Sequence, residues 1–174
     1  MSAGTLLFLL IRPLHVLIAA VWLGSTIFMS YVLMPTVEKE GPAGGQIMIG
    51  LNRRGLVPFF AATAGITVLT GIYLYWRFTG GFDPEVSRSN GGLAFGIGGV
   101  CGIIASIIGG SVVGRSSKQM VEIMTKAMGI ADGAQKASLM QQAAAVRQRI
   151  KSAGTIVIVL QVIALILMAV GHYI

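Results

Sequence analysis

Apolar residues run almost unbroken from Thr5 to Met34, and similar runs recur at about 56–76, 93–114 and 153–173. A helix that crosses a bilayer needs about 20 predominantly apolar residues, each rising about 1.5 Å. All four runs qualify, so the pattern predicts an all-α, integral-membrane four-helix bundle in antiparallel up-down order. It forms a single transmembrane domain over residues 1–174, with spans at about 12–34, 56–76, 93–114 and 153–173. Charged or Gly/Pro-rich connectors separate them.

The connector 115–151 has its own pattern. Met120, Met124 and Met128 recur at four-residue spacing, and Ala137 to Ile150 is rich in helix formers. Gly129 and Asp132-Gly133 interrupt the stretch. The reading is a helical hairpin extending the third and fourth spans, with the methionines as a packing stripe.

Basic residues set the orientation. Lys39, Arg53 and Arg54 lie in the first connector, and Arg115, Lys118, Lys126, Lys136, Arg147, Arg149 and Lys151 in the third. The opposite side has Arg77, Arg88 and Arg12 at the first span's entrance. The first and third connectors are therefore expected in the cytoplasm and both termini outside. No Lys or Arg precedes Arg12, and the first run far exceeds a signal peptide's apolar core, so it reads as a span.

Composition agrees with this pattern. Hydrophobic residues make up 55% of the chain and charged ones 11%, against about 25% charged in soluble domains. Mean hydropathy is +0.81. A formal charge of +7 would suit nucleic acid, but its concentration in two connectors has a topological explanation, and no nucleic-acid partner is expected. The single cysteine, Cys101, excludes an internal disulfide.

The third span carries small residues at every fourth position: Ala94, Gly98, Cys101-Gly102, Ser106, Gly110 and Gly114. In lipid, helices associate by close backbone approach, which small residues permit. A helix of the same chain, a second copy docked through Gly98, Gly102, Ser106 and Gly110, or a flat cofactor would all satisfy this row. Thr63, Thr67 and Thr70 are expected to bond back to their own helix. Gln161, mid-way along the fourth span, requires an interhelical partner.

Ionisable residues in an apolar span mark functional sites by default. Arg12, His15, Ala19, Trp22, Thr26 and Met29 share one face of the first span. A start at Arg12 gives a span of 23 residues to Met34. That register puts Pro13 in the first turn, where its missing N–H does no harm, with Leu6 to Ile11 lying along the interface or continuing as a kinked extension. The topology then gathers Arg12, His15, Arg77 and His172 on the outer side. Two histidines can ligate a haem iron, and two arginines can pair with its propionates or a quinone-like anion. The plainer roles are a hydrogen-bonded interior histidine, an interfacial histidine and two snorkelling arginines. Imidazole and thioether would suit copper, but Met168 is the only methionine one turn from either histidine. No Ser-His-Asp set is legible and no span holds an acidic residue, so neither hydrolysis nor ion-coupled transport is indicated. Asp83, Glu85, Glu38 and Glu40 read as solvated charges, and Gly44-Gly45 and Gly80-Gly81 as turns.

The segment Arg12-Pro13-Leu14-His15-Val16, followed by Val21-Trp22-Leu23-Gly24, resembles a superfamily of small bacterial inner-membrane proteins. It includes the membrane domain of copper-resistance protein D and the four-helix, haem-b-containing protoporphyrinogen oxidase. Gly71-Ile72-Tyr73-Leu74 is similar to the close of their second span. Asn52-Arg53-Arg54-Gly55 is similar to a segment found in relatives of unknown function. The resemblance covers the four spans in order and is specific in the first. It implies a haem-ligand role at His15 and a bacterial inner membrane. The family's third span normally carries polar residues such as His or Lys; here it offers only glycine, serine and cysteine.

These readings lead to three functional expectations. The first is haem b, or a related redox cofactor, bound near the outer leaflet for electron transfer. Its site would be His15, His172, Arg12, Arg77 and Trp22, with His15 and His172 as metal ligands. The second is a non-enzymatic membrane subunit or assembly factor that packs against partner helices. The third is copper handling.

Overall fold

The computed structural model describes residues 3–131 and 133–174; Asp132, expected at the hairpin break, lies outside them. The described residues are helical nearly throughout and contain no strand. Helix α1 (Ala3–Phe28) passes through a π turn at Met29–Leu33 into α2 (Met34–Lys39). Helix α3 (Gly41–Arg53) follows, then α4 (Leu56–Phe78) and the short α5 (Pro84–Arg88). Helix α6 (Asn90–Ile108) passes through a second π turn at Gly109–Val113 into α7 (Gly114–Met128). Helix α8 (Ala134–Val170) completes the fold.

Four helical stretches are long and apolar enough to cross a membrane: Gly4–Lys39, Leu56–Phe78, Asn90–Met128 and Ala134–Val170. Only 11% to 28% of each apolar window is buried inside the chain. Leu10, Leu17 and Leu69 are each more than 60% exposed. Helices whose long apolar windows turn such side chains outward need lipid as their solvent. The protein is a multi-pass membrane protein.

The spans close a ring, α1 against α4, α4 against α6, α6 against α8 and α8 against α1, with α6–α8 the most extensive pair. Consecutive spans run antiparallel: the start of α1 meets the end of α4, and the start of α6 meets the end of α8. One end of the bundle, called here the terminal end, carries Arg12 and His172. The other, the hairpin end, carries α3, α7 and the first part of α8.

The helix of the first span takes in the residues ahead of Arg12 as an extension. It is helical from Ala3 onwards, so Pro13 lies inside α1 rather than in its first turn. It also continues past Pro35 to Lys39. The π turn explains how: the Met34 N–H bonds to the Met29 carbonyl, one residue wider than an α turn. The helix thereby widens just before a proline that cannot donate.

The first connector is a helix rather than a loop. Gly44 does not turn the chain. It lies inside α3 with its Cα against the Val37 carbonyl, where any side chain would collide. The Gly80-Gly81 turn is real, with φ of 64° and 97°. Asp83 does more than carry a solvated charge: it caps α5 by accepting from the Glu85 and Val86 N–H groups. Glu38 pairs with Arg147 at 3.5 Å.

The hairpin forms as expected. Helix α7 ends at Gly129 and packs on α8 through Met120, Ile123, Ala143 and Val146, with Met124 alongside. The small-residue row on the third span behaves differently from its every-fourth pattern. The buried face is Gly91, Ala94, Gly98 and Ala105. A helix repeats every 3.6 residues, so a strict four-residue row drifts about 40° per step and leaves the interface. Gly98 packs on Ala164, Leu167 and Met168 of α8, whereas Gly102 has nothing near its Cα.

Candidate functional site

The terminal end is tied together by one residue from each span. The rings of Phe78 and Phe95 meet edge-to-face at 4.9 Å, and Phe95 meets His172 the same way at 5.1 Å. His172 Nε2 in turn lies 3.0 Å from an Arg12 guanidinium nitrogen. Arginine has only N–H donors, so Nε2 is the acceptor here and its lone pair is engaged. Gly171 lets Phe95 in: a Cβ there would sit 3.0 Å from the ring. Arg77, in the last turn of α4, is exposed.

His15 faces the interior and is 8% exposed. Its Nδ1 lies 2.9 Å from the Thr70 hydroxyl. That hydroxyl is 2.6 Å from the Ile66 carbonyl, to which it donates. With its hydrogen committed to Ile66, Thr70 accepts from His15, so Nδ1 carries the proton and Nε2 the lone pair. The ring packs against α4 because residue 71 is glycine; a Cβ there would be 3.1 Å from His15 Cε1. Thr63 and Thr67 bond back to their own helix, as expected.

Gln161 does not meet its expectation of an interhelical partner. It is 5% exposed, and neither Nε2 nor Oε1 has a hydrogen-bond partner among the described residues. It lies one turn beyond Val157, about 6 Å towards the terminal end. Val157 forms the mid-bundle core with Trp22, Ala64 and Ala105. Trp22, a candidate cofactor contact from the sequence, is thus a core residue, about 10 Å from the level of His15.

The arrangement leaves one imidazole nitrogen inside the bundle without a hydrogen-bond partner among the described residues. His15 offers Nε2, with its tautomer and ring plane fixed by Thr70 and Gly71, and the orphaned Gln161 amide lies one layer below. His172 is held by Arg12 and Phe95, and among the described residues no hydrogen bond or ring contact joins it to His15. Met168, the one thioether in reach by sequence, packs against Gly98 in the α6–α8 seam. Among the described residues, no three His, Cys, Asp or Glu side chains converge as a metal cage.

A second feature was not anticipated. A cavity of about 310 Å³ reaches from the Trp22 core to α3 and α7 at the hairpin end. Both π turns line it, through Met29 and Ser30 on one side and Gly109, Gly110 and Val113 on the other. Two sequence signals bore on it: the inward stripe Trp22–Thr26–Met29 and the stripe Met120–Met124. Their convergence on one space depends on α3 folding back, which the connector's glycines concealed. Compared with known proteins, the chain matches no family model, no curated protein and no solved structure.

Proposed function

We propose that this is a bacterial inner-membrane protein that holds haem b near the periplasmic leaflet through His15 and serves in electron transfer. The observation that carries the reading is the Ile66–Thr70–His15 chain of hydrogen bonds. It puts the proton on Nδ1 and leaves the Nε2 lone pair unpaired inside the bundle. A partner that orients the far ring nitrogen is the usual support of a metal-bound histidine. Haem b held there would supply a one-electron couple. Ten of the thirteen basic residues lie at the hairpin end, which supports a cytoplasmic hairpin and periplasmic termini.

In this reading His15 would be the one side chain holding the haem iron, and Arg12 and His172, paired at the terminal end, would not ligate it. Arg77, exposed in the last turn of α4, would pair with a propionate. The test is haem content per protein, by extraction, in chains produced in haem-replete cells. Near-stoichiometric haem in the parent, lost in His15→Ala and kept in His172→Ala, is the expected result. Haem-free parent protein would reject it.

A second reading, a non-enzymatic subunit, is favoured by one observation. Gly99 and Gly102 on α6 have no atom within 4 Å of an added Cβ, so a helix of another chain can approach there. Co-purifying membrane partners lost in Gly102→Leu would support it; partners kept in that variant would not.

A further inference from the structure

The hairpin-half cavity is independent of the His15 site, and its walls define a ligand chemistry. None of the lining residues is ionisable. An ionic head group would lose its hydration there with nothing to pair with. The occupant is therefore neutral.

The cavity is not wholly apolar. Thr26 spends its hydroxyl on the Trp22 carbonyl at 2.7 Å. Ser30, Ser106 and Ser117 also line the cavity, and no hydrogen bond occupies them among the described residues. They come from three separate elements and present donors to one space. They fit a ligand that carries accepting oxygens.

Shape narrows the class further. Gly65 of α4, Gly109 and Gly110 of the second π turn and Gly154 of α8 all line the cavity. An added Cβ at Gly65, Gly109 or Gly110 would meet nothing within 4 Å. Walls without side chains admit a flat ring, and Phe60 and Trp22 offer aromatic faces to it. Met29, Met34, Met48, Met120 and Met124 line the rest. Five of the nine methionines in the chain are here. Unbranched thioethers adapt to an irregular apolar chain. The volume is at the lower end of small-molecule sites, about 300–1,000 Å³. That suits a compact head and a short length of chain rather than two acyl tails. Both π turns lie in the walls, and such widened turns recur at functional sites.

We propose that this cavity binds a neutral quinone-type molecule, with its carbonyl-bearing ring against the glycine-lined wall within reach of the free serine hydroxyls and its isoprenoid-like chain among the methionines. Nothing in the proposal requires a group bound at His15.

Trp22 is a built-in reporter. The only other tryptophan is Trp76, and a Trp76→Phe chain in detergent isolates the Trp22 signal. A benzoquinone carrying one isoprenoid unit should quench it saturably. Gly65→Leu and Gly110→Leu fill the cavity and should weaken binding ten-fold or more. Gly99→Leu, equally open but outside the cavity, should leave it unchanged. Ser106→Ala, which adds no bulk, should weaken binding about three-fold or more and covers the case in which a leucine variant fails to fold. Quenching that rises linearly with quinone, or is indifferent to both leucines and to Ser106→Ala, overturns the proposal. Displacement by dioleoylglycerol as readily as by quinone also overturns it and assigns the cavity to neutral glycerolipids.

Discussion

Arg12 and His172 are 160 positions apart in the chain, yet the Arg12 guanidinium lies 3.0 Å from His172 Nε2. This contact joins the first span to the end of the last. It is exposed, so its contribution is small, about 1 kcal/mol or less. Its main effect is to hold the chain end down. His172→Ala should leave the melting temperature of the detergent-solubilised protein nearly unchanged while speeding amide exchange at residues 171–174. Arg12→Ala should do the same, and the double variant should be no worse than either single one. A double variant with additive effects would show that the two side chains act separately.

Thr70→Val removes the acceptor of the His15 Nδ1–H without changing shape. An unpaired donor in the interior costs about 1–3 kcal/mol. The variant should lose that much stability in a detergent unfolding titration. In a His15→Phe background, where no donor needs a partner, the same change should cost far less. An equal loss in both backgrounds would mean that Thr70 acts through packing alone.

The glycines of the bundle should divide into two groups. Gly71 and Gly98 have neighbours within 3.1–3.3 Å of an added Cβ. Leucine at either site should force helices apart and cost about 1–3 kcal/mol or more. Gly99 and Gly102 face open space, and alanine there should be neutral or should stabilise by up to about 1 kcal/mol, since it is the better helix former. Thermal melts of the four variants check this. A destabilising Gly102→Ala would place an unseen partner on that face.

Gln161 has a buried amide without a partner. Gln161→Leu should therefore raise stability, by about 1–3 kcal/mol. A drop of similar size would show that the amide is satisfied in the membrane-embedded protein, by water or by a ligand oxygen.

The fold was legible wherever lipid selects composition directly. Four apolar runs gave four spans, and the methionine-rich connector gave the hairpin around Met120 and Ile123. What the sequence hid was backbone register. Pro35 looked like a terminator, but the π turn at Met29–Leu33 carries the helix through it. Gly44-Gly45 looked like a turn, but Gly44 is a close approach of α3 to Val37. The row at every fourth residue on the third span overlooked the 3.6-residue period, so Gly102 was assigned to a face it does not share with Gly98. The polar end was legible as a set of residues but not as a set of pairs. Arg12 engages His172, whereas His15 engages Thr70, a residue that reads from sequence as bonding only to its own helix. The cavity was the least legible feature, because it depends on two π turns and a refolded connector that no periodicity announces.

The central claim is that His15 Nε2 is a haem ligand. The most direct measurement is the absorption spectrum of the detergent-purified chain beside its His15→Ala and His172→Ala variants, all from haem-replete cells. A Soret band is expected in the parent and in His172→Ala, and none in His15→Ala. A colourless parent, or a band that survives His15→Ala, would contradict it.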